Sequence, residues 1–405
     1  MKNFKRIFSF VLVFLLMITF CGCNNSGEQE VIIEEEIVYE SAGAGNDTTN
    51  NDNSGTESKT QTGTNSKNQT GTNSKTQTGT NSKNQTGTQN NTGSNKVAKT
   101  KTIKVLAIGH SYSNNSTRYI KEIADSTDGD TTVFAANLYF PGCSMRQHNE
   151  NINQWNVYFD NNGFEKAKEL YYSDQVGAKY YWLQVGNKQV NIKSLYEAIR
   201  YDDWDYITIQ QTPDGCDDFS TFWTKENPHL ITLYEYIQAE YKRDDMKGKK
   251  CPPILIHQTW AFNGDMAINN AYPNYPVNYK NNTEMFKKVE EAYNLAAKKI
   301  KEVKGVDTPI IKSGEAVQNA QDKYGYSRKA SKNLLDNTLY ADEISHLNAR
   351  GSYLSACVWI ETLAKLSGTT INTSTATFVP DEIGATLEDC KSLQYIAREV
   401  VHGKN

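Results

Sequence analysis

The stretch KVLAIGHSYS, residues 104–113, decides how the chain is read. An apolar run from Val105 to Ile108 ends at Gly109, and Ser111 opens a polar segment, SNNSTRYIKEIA, with helical character. That is a strand, a tight turn and a helix. A serine on such a turn stands at the carboxyl edge of a parallel sheet, where open α/β folds bind ligands and the next helix directs its free N–H groups. Ser111 is therefore a candidate nucleophile. Glycine and serine also serve turns and helix caps for local reasons, so the assignment needs partners elsewhere in the chain.

Downstream, strands and helices alternate. Strands are expected at 103–108, at 132–139 running into FPGCSM, in DYITIQQTPD, at 254–257 and at 309–311. Helices are expected after the first strand, at 230–241, at 283–303, in GEAVQNAQD, in SYLSACVWIETLAKL and at 387–401. This order predicts an α/β fold with a parallel sheet and helices on both faces. Between the second and third strands, KELYYSDQVGAKYYWLQVGNKQVNIKS alternates aromatic and polar residues around Gly186-Asn187, which predicts a two- or three-stranded excursion. The topology gathers Ser111, Gly142, Gln211, Thr259 and the loop before Asn348 at one edge.

Upstream, the chain changes character. Residues 1–23 carry Lys2, Lys5 and Arg6, then an apolar run too short for a comfortable membrane span, then Cys-Gly-Cys. Gly22 before Cys23 resembles a bacterial lipobox, with Phe20 where an aliphatic residue is usual. Cys23 is the expected lipidation site, which implies an exported chain anchored to the outer side of the cell membrane. Residues 24–100 cannot build a core: an acidic stretch gives way to Gly, Asn, Thr and Ser, with octapeptide repeats starting at Thr62, Thr70 and Thr78. As a flexible coil this tether would span on the order of 50 Å. Residues 101–405 then form one large domain.

Composition narrows the functional classes. A net charge of −4, without a basic cluster, argues against nucleic acid. Five cysteines remain beyond the leader, odd in number and widely spaced, and read as buried thiols. No His, Asp or Cys spacing suggests a metal, and no cofactor motif appears. The 24 tyrosines and 6 tryptophans suit a surface that stacks on sugar rings.

A serine hydroxyl needs a base, and the base an orienting acceptor. Of the six histidines, His402 lies in the tail, His229 at a helix start and His257 at a strand end. His110 adjoins the serine, where alternation points neighbours apart. His148 stands past the Pro-Gly turn, within possible reach of substrate. His346 differs: it lies in a polar loop before an apolar helix, with Asp342 and Glu343 just upstream. Either carboxylate can fold back on Nδ1. Oxyanion donors are sought in the backbone N–H groups of Ser111 and Gly142 and in the side-chain amide of Gln211 or Gln210.

The order of a Gly-x-Ser turn, a Gly turn, an amide residue and a late acid-x-x-His loop resembles the SGNH/GDSL hydrolase superfamily. GHSYS, NLYFPGCSMRQH, WDYITIQQT, HQTWAF, GEAVQNA and HLNARGSYLSACVWIETL, spread over 102–366, resemble a bacterial family of exported SGNH-like domains. The resemblance implies a three-layer, flavodoxin-like α/β/α fold and a serine esterase acting on acyl groups of carbohydrates. It makes Ser111 the nucleophile and His346 the base, and puts Gly142 in the oxyanion hole. His110, His148 and Trp260 are the expected substrate contacts. Three departures stand out: His110 replaces an Asp, Gln210-Gln211 replaces Gly-x-Asn-Asp, and the acid in register is Glu343, with Asp342 one step back. The rival expectation is a non-catalytic, lipid-anchored glycan binder that keeps the fold.

Overall fold

The computed structural model describes residues 97–173, 181–264, 279–331, 336–342, 345–383 and 386–403. Cys23, the repeats and Glu343 lie outside the described residues. β1 (Lys101–Gly109) runs between β2 (Thr131–Tyr139) and β5 (Tyr206–Ile209), parallel to both. Val105 to Ile108 are all fully buried, as in a strand covered on both faces. Val105 and Ala107 enter one apolar cluster and Leu106 and Ile108 the other. β6 (Ile254–His257) and β7 (Ile310–Ile311) continue the parallel sheet beyond β5. On the other edge, β3 (Trp182–Val185) and β4 (Lys188–Val190) add an antiparallel hairpin to β2. Among the described residues the sheet has seven strands in the order β4-β3-β2-β1-β5-β6-β7.

Among the described residues the α-helices are α1 (Ser111–Thr117), α2 (Ile120–Asp125), α3 (Met145–Asn162), α4 (Phe164–Ser173) and α5 (Leu195–Arg200). They continue as α6 (His229–Glu240), α7 (Asn282–Lys304), α8 (Ser313–Lys323), α9 (Ala349–Ser367) and α10 (Leu387–His402). Residues of α1, α2, α8, α9 and α10 share the cluster of Val105 and Ala107. Those of α3, α5, α6 and α7 share the cluster of Leu106 and Ile108. The mostly parallel sheet thus carries helices on both faces. α9 is buried along nearly its whole length, with Trp359 at 0% exposure; a residue of that size contributes about 3 kcal/mol or more. All five cysteines of this region are unpaired, Cys251 alone half-buried.

Two stretches correct the sequence reading. KELYYS, expected to begin the extended excursion, closes α4 instead. Ala167 and Tyr171 are buried four residues apart, and Tyr171 meets Trp155 edge-on at 5.3 Å; a helical period was hidden inside an aromatic run. α3 was not expected at all, because its sequence is polar. Its signal was the capping box, in which Ser144 accepts from the Gln147 N–H and Gln147 returns the bond to the Ser144 N–H.

Candidate active site

The turn that carries Ser111 is shaped by crowding. A Cβ on Gly109 would stand 2.1 Å from Ser113 Oγ, so only glycine lets α1 fold back so closely on β1. His110 is the N-cap of α1: its Nδ1 accepts from the Tyr112 N–H at 3.3 Å, and its Nε2 lies 3.1 Å from the Gln211 carbonyl, to which it donates. It is wholly buried, and burial lowers its pKa to about 4. A neutral imidazole here does what an Asp carboxylate does at a cap. This corrects the expectation that His110 contacts substrate.

Ser111 itself remains half-buried at the edge. Its Oγ lies 2.8 Å from His346 Nε2, and His346 Nδ1 lies 2.7 Å from Asp342 Oδ2. Asp342 Oδ1 also accepts the backbone N–H of His346 at 2.9 Å, so one carboxylate fixes both the ring and the main chain of the same residue. A carboxylate only accepts. It therefore puts the imidazole proton on Nδ1 and leaves the Nε2 lone pair for the serine hydroxyl. Of the two acids expected to orient His346, Asp342 makes this contact, and Glu343 lies outside the described residues.

The loop carrying His346 is held from two sides. Asn115, four residues after Ser111 on α1, accepts from the Leu347 N–H at 3.1 Å and donates to the Leu347 carbonyl at 3.3 Å. On the other side, Trp260 Nε1 donates to the Ser345 carbonyl at 2.8 Å, and the Asn263 N–H donates to Ser345 Oγ at 2.7 Å. Ser345 has φ of +69°, the left-handed region in which a residue with a side chain is strained by about 1–3 kcal/mol. The bonds to its neighbours hold it there. Trp260 also stacks on Tyr112 at 4.2 Å, and Tyr112 meets His346 edge-on at 5.8 Å. Trp260 is fully buried, so it supports the base loop and is not the substrate contact expected of it.

Two backbone N–H groups expected to serve an oxyanion, that of Ser111 at the first turn of α1 and that of Gly142, are left without a partner among the described residues. Gly142 has φ of +59°, and its carbonyl accepts from Thr212 Oγ1 at 3.2 Å. The glutamines do not complete this set. Gln211 donates to the Thr221 carbonyl and Oγ1, and its Oε1 accepts from the N–H groups of Met145 and Thr212. Gln210 accepts from Ser113 Oγ and donates to His257 Nδ1, both at 2.7 Å. Both amides are buried and engaged, which corrects their expected place in the oxyanion hole.

His148 is likewise buried, with Nδ1 on the Tyr181 hydroxyl, and desolvation lowers its pKa to about 3. It packs against Tyr181 inside the fold rather than at the surface, so its expected contact with substrate falls too. Asn115 and Asn263 were missed by the sequence reading; an asparagine one turn after the serine gave no motif to notice. Among the described residues no group of three or more His, Cys, Asp or Glu is placed to hold a metal. A surface cleft of about 280 Å³ lies at the amino edge of the sheet, lined by Lys101, Thr131, Asp205 and Pro253, and contains none of the Ser111 constellation.

No curated protein matches the chain. A family model described as a domain of unknown function, DUF4886, matches residues 104–388. Among solved structures, a DUF4886 family protein from Bacteroides uniformis is 23% identical, with a TM-score of 0.54 over 75% of this chain and 96% of that one. An acetylxylan esterase from Geobacillus stearothermophilus, in a catalytic mutant form, is 11% identical, with a TM-score of 0.34 over 65% of this chain and 94% of that one. A superposition as loose as the second settles nothing about chemistry. At the carboxyl edge of its mostly parallel sheet the chain brings Ser111, His346 and Asp342 into one continuous contact, and it belongs to the DUF4886 family.

Proposed function

We propose that the protein is an exported serine esterase of SGNH type, with the three-layer arrangement of that superfamily, anchored through a lipid on Cys23 and held off the membrane by residues 24–100. Its substrate is an acyl ester, acetyl first, on a carbohydrate. The observation that carries the reading is the continuous contact Ser111 Oγ to His346 Nε2 at 2.8 Å and His346 Nδ1 to Asp342 at 2.7 Å. That order of groups matches the nucleophile, base and orienting acid of acyl transfer.

In this reading Ser111 Oγ attacks the ester carbonyl carbon as its proton passes to His346 Nε2. The carbonyl oxygen becomes an oxyanion, received by the N–H groups of Ser111 and Gly142. His346 then protonates the departing sugar alkoxide, and the acyl group stays on Ser111. Water attacks that acyl-enzyme while His346 takes its proton and returns it to Ser111 Oγ, releasing the carboxylic acid. Asp342 holds the imidazolium in place throughout. With both glutamines engaged elsewhere, the oxyanion hole rests on two backbone donors. No cofactor or metal enters the cycle.

The test is hydrolysis of p-nitrophenyl acetate, together with labelling by a fluorophosphonate. The wild type is expected to do both, and Ser111→Ala neither. Turnover undiminished in Ser111→Ala would sink the nucleophile assignment. A wild type inert to ester and probe alike would leave the non-catalytic glycan binder as the better reading.

A further inference from the structure

The aromatic and polar hairpin marked out by the sequence plays no part in the serine site. It forms β3 and β4, and its register sorts its residues by face. Tyr139 pairs with Trp182, Asn137 with Gln184, and Gln184 with Gln189. Directly opposed residues share a face, and alternate residues along a strand do too. Tyr139, Trp182, Gln184 and Gln189 therefore form one strip across β2, β3 and β4. The opposite face of the hairpin, Leu183, Val185 and Val190, packs into the cluster of α3, α5, α6 and α7.

The strip lies on the side that bears the nucleophile. Asn137 is in register with Ala107, whose cluster includes Tyr112 of α1, and Asn137 Nδ2 donates to the His110 carbonyl. Tyr139 is in register with Gly109, two residues before Ser111. With strands about 4.8 Å apart, Trp182 stands roughly 10 Å from β1, within reach of the adjoining unit of a glycan whose ester sits at Ser111.

Tyr139 and Trp182 are large rings in a sheet, yet they join none of the apolar clusters and stay partly exposed. Their centroids are 4.5 Å apart, tilted by 33°. Trp182 Nε1 donates to Gln184 Oε1 at 3.3 Å, which fixes the indole, and Gln189 is exposed at the far end. Aromatic surface followed by planar amides, with no charged side chain among the four, suits a neutral sugar: ring C–H groups pack on the aromatics and hydroxyls meet the amide.

We propose that this strip is a glycan subsite, stacking an uncharged sugar ring on Trp182, with Tyr139 packed against the indole, while a neighbouring sugar presents its ester to Ser111. The second half of that statement rests on the esterase reading; the stacking itself does not. The full chain is run through native gels containing soluble arabinoxylan, galactoglucomannan or polygalacturonate. At least one neutral polymer is expected to retard the wild type and Ser111→Ala alike, with the anionic polymer inert. Trp182→Ala should weaken retardation tenfold or more and Gln189→Ala a few-fold. On the acetylated form of the retarding polymer, Trp182→Ala should raise KM about tenfold while hydrolysis of p-nitrophenyl acetate stays within about twofold, which also reports that the variant is folded.

Should Trp182→Ala lose both, the exposed Gln189→Ala decides. A wild type that no neutral polymer retards, or retardation that survives both substitutions, overturns the subsite while leaving hydrolysis of the small ester intact. Retardation that depends on Trp182, without hydrolysis of any ester, upholds the subsite and overturns the esterase.

Discussion

Two serine–histidine constellations lie among the described residues, and of these the one at the rim has the makings of a catalyst. At the rim, Ser111, His346 and Asp342 are partly open to solvent. In the interior, His257 Nε2 lies 3.2 Å from Ser116 Oγ and 3.0 Å from Ser313 Oγ, and Ser355 bridges both serines. Its Nδ1 meets the amide of Gln210 instead of a carboxylate. Because the amide N–H donates, the His257 proton sits on Nε2 and points at the serines, the reverse of the arrangement at His346. Full burial also pushes the His257 pKa well below its usual value, so the ring stays neutral. The group on Nδ1, together with access to water, separates a base from a structural imidazole that satisfies three buried polar side chains, Ser116, Ser313 and Gln210.

The sharpest way to break this contrast is to remove the corresponding atoms from each site. Ser111→Ala and His346→Ala should each cut kcat on an acetyl ester by about 10⁴-fold or more, with little change in Tm. Ser313→Ala should leave kcat within a few-fold and lower stability by about 1–3 kcal/mol, since it strips partners from buried His257 and Ser355. If Ser313→Ala inactivates as strongly as Ser111→Ala, the interior cluster has a role in turnover.

Next in size is the acid. Asp342→Asn keeps the shape but presents an amide to Nδ1, which favours the wrong tautomer, and should cost about 10³–10⁴ in kcat. Glu343→Gln is expected to stay within a few-fold. Equal losses for the two would mean that Asp342 does not act alone, and the order reversed would transfer the assignment.

The converse change tests whether a carboxylate by itself makes a base. Gln210→Glu supplies His257 with an acid, but in a fully buried place where Ser113 Oγ and the imidazole are its neighbours in place of water. It should lower stability by about 3 kcal/mol or more, and in a Ser111→Ala background it should restore no hydrolysis. Recovered turnover would show that burial is not what silences the inner cluster.

Buried histidines also give the fold a signature in pH. The pKa values of His110, at about 4, and His148, at about 3, are depressed by burial, as is that of His257. The unfolded chain holds protons on these rings below about pH 6.5 while the folded chain does not. Stability is therefore fully present above that value and falls as pH drops toward the folded-state values. Between pH 7 and pH 6 the three together should remove roughly 2 kcal/mol. Denaturant titrations across that range check it. A flat profile would mean that these rings are charged or exposed.

Much of this was legible in the residues. The strand at 103–108 and its serine turn stand out because an apolar run, a glycine and a polar helix occur together, and the late His346 loop precedes a strongly apolar helix. What stayed hidden depends on contacts between distant segments. Gln210 and Gln211 offer the right donors at the right strand end, but both amides turn inward to pair with Ser113, His257 and Thr221. His110 beside the nucleophile resembles a reactive group, and only the fold reveals it as a cap. Sequence position gives a residue's edge of the sheet; it does not give the direction of a side chain that has a partner a hundred residues away.

The last comparison concerns the two sides that hold the base loop. Trp260 and Asn263 grip Ser345 from the β6 loop, whereas Asn115 grips Leu347 from the helix of the nucleophile. Only the second ties base and nucleophile to one rigid element, because Ser111 and Asn115 lie one turn apart on α1. Asn115→Ala should therefore lower kcat about tenfold, with KM and Tm nearly unchanged, since a displacement of well under 1 Å between Oγ and Nε2 suffices for that loss. Asn115→Asp retains the acceptor for the Leu347 N–H and should recover part of it. The rate of fluorophosphonate labelling should fall in parallel, because it needs the same proton transfer without a bound sugar. If labelling is as fast in Asn115→Ala as in the wild type, the β6 side alone positions His346, and the bond from α1 only joins two surfaces.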